Sequence, residues 1–217
     1  TLLLSILSAH PEIFCCREEL GLFERLREGK RGKEPLRLDR LYLSFLRYPI
    51  HKSQRRWCEK TPRNVRRFAQ IDAYHQGRFQ FIHLIRDGRD VVLSKHPDDP
   101  ERHWVDPERW VVDAAAGREI ANDPRVLTVM YEQLITDFEK EIRRICAFLN
   151  LAPAKEIIEW HTYAEVRQNR AFFSEVKPIN PQSIHKWKKP EHQERVAEFM
   201  AEAGAKELLE FYGYETD

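Results

Sequence analysis

The stretch FIHLIRDGRDVVLS, residues 81–94, runs from apolar residues directly into a cation. Five mostly apolar positions predict a buried strand, and Arg86 follows at its carboxyl end, before the turn-forming pair Asp87-Gly88. In an open α/β sheet, ligands bind at the carboxyl ends of the strands, and the next helix begins with free N–H groups. An arginine at this position therefore indicates a bound anion.

Two other predicted strands also end on polar residues: Lys60 follows RRWCE, and Tyr131 follows RVLTVM. Each residue alone has an ordinary explanation, namely a solvated strand end for Lys60, a helix cap with a local ion pair for Arg86 and Asp87, and a half-buried ring for Tyr131. Because the carboxyl ends of parallel strands meet at one sheet edge, the three together indicate a functional site.

The elements that position these residues follow an alternating pattern. Strands alternate with helical spacings, which predicts parallel strands, crossover helices and a three-layer α/β fold with a central sheet flanked by helices. A helix is predicted from Gly88 to Lys95, a Pro-broken loop at HPDDPERHWVDPER, and a last helix over residues 191–211. The charged stretch over residues 24–34 is predicted to be a mobile loop.

Composition limits the classes of partner. A chain of 217 residues suits one domain, and a formal net charge of +1 gives no field that would attract nucleic acid. No apolar run approaches the ~20 residues of a membrane span, so a soluble chain is expected. Four cysteines without a C-x-x-C spacing predict neither zinc nor a disulfide scaffold, which favours a reducing, cytoplasmic location.

Five segments in this order resemble the sulfotransferases that use 3′-phosphoadenosine 5′-phosphosulfate (PAPS), in particular the bacterial and tyrosylprotein branch. They span nearly the whole chain: TLLLSILSAHPEI, EKTPRN, IRDGRDVVLS, VMYEQLITDFEKEIRRICAFLNL and SIHKWKK. The resemblance implies a P-loop-type α/β fold forming a single domain over residues 1–217. It also implies transfer of a sulfuryl group from PAPS to an acceptor hydroxyl or amine, with no metal.

The resemblance implies six nucleotide-binding residues: Thr1, Arg86, Ser94, Tyr131, Lys186 and Lys188. Arg86 and Ser94 match the ligands of the 3′-phosphate, where a guanidinium suits bidentate contact and a hydroxyl ~9 Å along the helix lies within its reach. Tyr131 matches a position near the adenine. Lys186 and Lys188 match a basic segment that closes over the phosphate, although a solvated basic loop is an alternative for each.

Two residues match catalytic positions. Lys60 matches a lysine that neutralises charge on the leaving oxygen in an in-line transfer. The cytosolic branch has a histidine base two residues later, where this chain has Pro62. Counting ungapped from His10-Pro11, the glutamate base of the tyrosylprotein enzymes falls on Glu18; a slip of one residue would make it Glu19, and His10 is a third candidate.

The family's first strand and phosphate loop should precede the first helix, and Thr1 aligns with the last threonine of that loop. The chain is therefore expected to be an N-terminally truncated part of a longer protein. Sequence upstream of Thr1 would distinguish a sulfotransferase from a nucleotide kinase. A kinase is disfavoured because residues that bind a 3′-phosphate would have no role in it.

The main alternative to an enzyme is a non-catalytic nucleotide-binding or scaffold domain of the same fold. The acceptor, whether a small molecule, a carbohydrate or a peptide, is not encoded in any recognisable motif. Trp104, Phe172 and Phe173 are candidates to line its pocket, and ordinary packing is the alternative for each.

Overall fold

A computed structural model describes residues 2–23, 38–96, 99–167, 179, 181 and 184–216. The chain forms two compact units, a first unit of Thr1–Phe79 with Leu149–Pro178 and a second unit of Gln80–Phe148 with Ile179–Asp217. Thr1, the predicted loop at residues 24–34, and Phe172 and Phe173 lie outside the described residues. A single domain stays a prediction.

The helices and strands follow one another in this order: α1 (Leu2–Leu7), β1 (Ile13–Cys15), α2 (Leu38–Arg47), β2 (Arg56–Cys58), a 3₁₀ helix (Pro62–Arg67), α3 (Phe68–His75), β3 (Phe81–Ile85), α4 (Gly88–Val91), β4 (Lys95–His96), β5 (Asp99–His103), α5 (Pro107–Ile120), β6 (Val126–Met130), α6 (Tyr131–Thr136), α7 (Phe138–Phe148), α8 (Lys155–Ile158), α9 (Trp160–Tyr163), two 3₁₀ helices (Lys186–Lys188 and Pro190–His192), α10 (Gln193–Met200) and α11 (Ala205–Phe211).

In the first unit, β1 and β2 pair in parallel, from Ile13 opposite Arg56 to Cys15 opposite Cys58. The apolar helix α1 is buried. Ser5 within it donates to the Val166 carbonyl at 2.7 Å, and Ser8, directly after it, accepts from the Val166 N–H at 3.0 Å. These bonds satisfy polar groups that would be costly to bury alone. The predicted strand at RRWC is confirmed, while β1 was not predicted.

In the second unit, β3 and β6 pair in parallel from Phe81 opposite Val126 to Ile85 opposite Met130. Ile85, Trp110 and Phe199 belong to its buried core. The core also explains why a glycine begins α4, because a Cβ on Gly88 would lie 2.3 Å from the Phe199 ring and 2.7 Å from Trp110. Both predicted strands are confirmed.

Three predicted elements are wrong in detail. The helix expected from Gly88 to Lys95 ends at Val91, and the expected loop after it contains the antiparallel pair β4–β5, with Lys95 opposite His103. Pairing across this hairpin replaces the helical hydrogen bonds that local sequence favoured. The last helix is divided into α10 and α11 at Gly204, whose φ of 85° breaks the helical path.

Candidate functional site

The carboxyl ends of β3 and β6 bring Arg86 and Tyr131 together in the second unit. Each residue directly follows the last paired positions, Ile85 and Met130. The Arg86 guanidinium carbon lies 4.7 Å from the centre of the Tyr131 ring, within cation–π range. The indole N–H of Trp110 donates to the Arg86 carbonyl at 3.1 Å, which fixes the backbone there. Two of the predicted site residues are therefore neighbours on a rigid frame.

Asp90, on α4, joins Arg86 to the segment that carries the two predicted lysines. Its Oδ2 lies 3.6 Å from Arg86 Nη2. The same carboxylate accepts hydrogen bonds from the backbone N–H groups of His185, at 2.8 Å, and Trp187, at 3.0 Å. We call residues 184–188 the basic segment. The exposed residues Lys186 and Lys188 thus lie on a segment that is hydrogen-bonded to Asp90, which in turn contacts Arg86.

Asp87 and Arg89 form a buried clasp beneath the basic segment. Asp87 caps α4 by accepting from the Arg89 N–H at 2.9 Å, and it accepts from Arg89 Nε at 3.0 Å and Nη2 at 2.8 Å. The Arg89 guanidinium carbon lies 3.6 Å from the centre of the Trp187 ring. The local ion pair considered for Asp87 is therefore made with Arg89.

Glu132 holds the turn after β3 from the other side. One carboxylate oxygen accepts from the Asp87 N–H at 3.0 Å, and the other accepts from the Tyr214 hydroxyl at 2.8 Å. Burial, followed by the nearby Glu132 carboxylate, raises the pKa of Tyr214 above its ordinary value, so the phenol stays a donor. Glu132 thus links the turn between Arg86 and α4 to Tyr214 near the end of the chain's second unit.

Ser94 lies after α4 rather than within it, so the predicted placement a turn and a half into a helix is wrong. Its N–H donates to the Val91 carbonyl at 3.1 Å, and its carbonyl accepts from the Trp104 N–H at 2.8 Å at the base of the β4–β5 hairpin. The Ser94 backbone is therefore held between the end of α4 and the strand pair β4–β5. The role of Ser94 as a phosphate ligand stays a prediction.

In the first unit, the two candidate glutamates have different partners. Lys60, which follows β2, is hydrogen-bonded through Nζ to Glu19. Glu18 instead accepts from Arg47 Nη1 at 2.8 Å and from the Tyr48 hydroxyl at 3.1 Å. The structure therefore brings Lys60 together with the alternative residue, Glu19.

Glu59, which precedes Lys60 at the polar end of the predicted strand and had no predicted role, organises the turn that carries Lys60. Its carboxylate accepts from the Thr61 hydroxyl at 2.9 Å and from the Asn64 amide. Thr61 in turn accepts from the Gly21 N–H at 3.1 Å, which ties the Glu18–Glu19 stretch to this turn. Burial raises the pKa of Glu59. A signal was present in EKTPRN, since short polar side chains spaced two and five residues from a glutamate can fold back on it.

His10, the third candidate base, has a structural role. It is buried, with the Glu12 N–H donating to Nδ1 at 3.2 Å and Nε2 lying 2.9 Å from the Ala152 carbonyl. Nδ1 is therefore the acceptor and Nε2 carries the proton, so both ring nitrogens are engaged.

The four cysteines form no disulfide bonds, and burial raises the pKa of Cys16 to about 12, as expected for unreactive thiols.

Within the described ranges, no group of three or more His, Cys, Asp or Glu side chains is arranged to hold a metal ion. Among the same residues, none of the helices has the length and apolar character needed to cross a bilayer.

Comparison with solved structures defines the fold. The sulfotransferase domain from the curacin biosynthetic pathway superposes with a TM-score of 0.63 at 15% identity, covering 100% of this chain and 94% of that domain. A mouse sulfotransferase, SULT7A1 complexed with PAP, gives a TM-score of 0.49 at 15% identity, covering 96% of this chain and 92% of the other. With the parallel pairs β1–β2 and β3–β6, the first likeness confirms the predicted P-loop-type α/β fold.

The sequence model of the Sulfotransferase family matches residues 36–156, more than half of the chain. The chain therefore belongs to the Sulfotransferase family. No curated protein sequence matches it.

Proposed function

We propose that the chain is an enzyme that transfers a sulfuryl group from PAPS to an acceptor hydroxyl or amine. The observation that carries the proposal is the environment of Arg86 in the second unit. Arg86 lies beside the Tyr131 ring, and it contacts Asp90, which also accepts a hydrogen bond from the basic segment. A guanidinium next to an aromatic ring suits a ligand that has both a phosphate and a flat base. PAPS has both, and supplies the sulfuryl group.

Arg86 binds the 3′-phosphate in this proposal, with Ser94, Lys186 and Lys188 as further ligands. Arg86 is suited to the role because Trp110 fixes its backbone and its charge is permanent. Tyr131 borders the base. The exposed ammonium groups of Lys186 and Lys188 add positive charge from the basic segment.

Lys60 serves the reaction as the cation that stabilises charge on the leaving oxygen. Its contact with Glu19 places a carboxylate beside this cation, where it can serve as the base for the acceptor's proton. Glu18 remains the second candidate, and would have to leave Arg47 and Tyr48 first. We favour Glu19.

Calorimetry on the full-length protein tests the nucleotide site. Arg86→Ala should weaken binding of adenosine 3′,5′-bisphosphate by about 2 kcal/mol, close to 30-fold, because a charge-assisted contact is lost. Binding of adenosine 5′-phosphate, which lacks the 3′-phosphate, should barely change. Arg143→Ala is the matched control, since Arg143 lies on α7 in an exposed pair with Glu139. Equal losses for both nucleotides would remove Arg86 from the 3′-phosphate.

Turnover with labelled donor against alcohols, phenols, amines, sugars and peptides tests the reaction. Lys60→Ala should abolish turnover while leaving nucleotide affinity within about threefold, as expected for a group acting on the transition state. Glu19→Gln should reduce turnover about 100-fold or more, and Glu18→Gln only mildly. The reverse order would assign the base to Glu18. Tight nucleotide binding without turnover on any acceptor would favour the non-catalytic alternative.

A further inference from the structure

Asp90 is buried in the second unit in a way that requires an explanation. Its side chain is 1% exposed. A buried carboxylate is costly unless charged partners and hydrogen bonds replace its water. Arg86 supplies the charge, and the backbone N–H groups of His185 and Trp187 supply two hydrogen bonds. Two of these partners belong to the basic segment, about one hundred residues away in sequence.

The basic segment is shaped to receive this carboxylate. His185 has φ 60° and ψ 23°, in the left-handed region that few non-glycine residues adopt, and it precedes the 3₁₀ helix Lys186–Lys188. This conformation turns the N–H groups of residues 185 and 187 toward one anion, as in the backbone nests that bind anions elsewhere. Here the anion is the protein's own aspartate.

We call the two hydrogen bonds from the backbone of His185 and Trp187 to Asp90 the anchor, and it determines where the two lysines are held. Lys186 and Lys188 lie on either side of Trp187 in the 3₁₀ helix, so the bonds of His185 and Trp187 to Asp90 fix the backbone that carries both exposed lysines. Trp187 adds a second attachment through its stacking on Arg89. A free basic segment would leave both ammonium groups mobile, and ordering them on binding would cost conformational entropy.

We propose that Asp90 is a positioning residue that fastens the basic segment, so that Lys186 and Lys188 act on the same phosphate as Arg86. The proposal rests on the proposed function, because it concerns the nucleotide that function requires. It assigns to Asp90 a coupling between Arg86 and the lysines: the lysines strengthen nucleotide binding only while the anchor is formed.

A double-mutant cycle in the full-length protein tests this coupling, with adenosine 3′,5′-bisphosphate as the probe. Lys186→Ala alone and Asp90→Asn alone should each weaken binding by about tenfold, since the two N–H groups are bonded to different carboxylate oxygens and asparagine has only one oxygen. Lys186→Ala should add almost nothing once Asp90→Asn is present. Asp123→Asn is the matched control, because Asp123 is hydrogen-bonded to Arg125 in the same unit. In that background Lys186→Ala should keep its full effect. Independent effects of Asp90→Asn and Lys186→Ala would overturn the proposal.

His185 gives a second route that leaves Asp90 and the core intact. His185→Val should reproduce the loss of affinity seen for Asp90→Asn, because a β-branched residue opposes a positive φ. His185→Gly, which favours that conformation, should bind at least as well as the unaltered protein. Equal affinity for the valine and glycine variants would overturn the anchor.

The failure of the proposed function can be told apart from the failure of the anchor. If the unaltered protein does not bind adenosine 3′,5′-bisphosphate, the proposed function fails. Hydrogen exchange without nucleotide then tests the anchor: the amides of His185 and Trp187 should be protected in the unaltered protein and lose that protection in His185→Val. Unprotected amides in the unaltered protein would overturn it.

Discussion

Two Asp-x-Arg turns in the second unit have nearly the same internal hydrogen bonds. In the first, Asp87 accepts from the N–H, Nε and Nη2 of Arg89 at 2.9, 3.0 and 2.8 Å. In the second, Asp123 accepts from the same three donors of Arg125 at 2.8, 3.0 and 2.7 Å. The Asp-x-Arg motif is therefore a local one, since in both turns the hydrogen bonds join only residues i and i+2.

The surroundings of the two clasps differ. The Asp87–Arg89 clasp follows β3 at its carboxyl end, with side chains 3% and 4% exposed, and Arg89 supports Trp187. The Asp123–Arg125 clasp precedes β6 at its amino end, with side chains 22% and 28% exposed. The same motif thus supports the basic segment at the carboxyl edge of the pair β3–β6 and forms a more exposed turn at its amino edge. Burial and tertiary neighbours, not the motif, separate the two uses.

The largest difference is expected when each arginine is removed. Arg89→Ala leaves the buried Asp87 carboxylate without its counter-ion and should lower the free energy of unfolding by about 3–5 kcal/mol. Arg125→Ala should have a much smaller effect, because water can solvate Asp123. Urea unfolding of both variants measures the difference. Similar losses would mean that the clasps are energetically alike and that burial does not distinguish them.

A smaller effect is expected from removing the ring above Arg89. Trp187→Ala should destabilise the protein, and a cycle with Arg89→Ala should give a coupling energy of about 1–2 kcal/mol, as for a desolvated cation–π contact. The control is Trp187→Ala combined with Arg125→Ala, whose effects should add. Coupling of Trp187 to Arg125 as strong as to Arg89 would contradict a direct contact.

The smallest effect concerns acid. Hydrogen bonds from Arg125 lower the pKa of Asp123 to about 2. Because the folded-state pKa lies below the unfolded one, ~3.9, this clasp stabilises the protein fully above about pH 4 and loses its contribution as the pH falls through about 2. The difference in unfolding free energy between the protein and Asp123→Asn should therefore shrink between pH 4 and pH 2. A constant difference would show that the Asp123 charge contributes nothing.

The strands of the site could be predicted from sequence, whereas their connections could not. FIHLI and VLTVM are apolar and rich in branched residues, so both strands and the meeting of Arg86 with Tyr131 follow from local pattern and parallel pairing. The early end of α4 depends on pairing between Lys95 and His103 across a hairpin. The conformational preferences of residues 88–95 give no information about that contact with His103.

The same limit applies to side-chain partners. A one-residue uncertainty in the stretch after His10 separates Glu18 from Glu19, and only the tertiary contact with Lys60 distinguishes them. The sequence predicted a local ion pair for Arg86 and Asp87, whereas Arg86 contacts Asp90 and Asp87 contacts Arg89. The bonds of Asp90 to His185 and Trp187 connect distant parts of the chain, so no local signal announces them.

The bond between Tyr214 and Glu132 has a consequence for biosynthesis. Glu132 holds the Asp87 N–H, and its other oxygen is satisfied by a residue made 82 positions later. A nascent chain can form β3, β6 and the turn between Arg86 and α4 well before Tyr214 leaves the ribosome. The hydrogen-bond network around the turn is therefore completed late in synthesis. A nascent chain stalled before residue 214 would expose Arg86 before the Glu132–Tyr214 bond has formed.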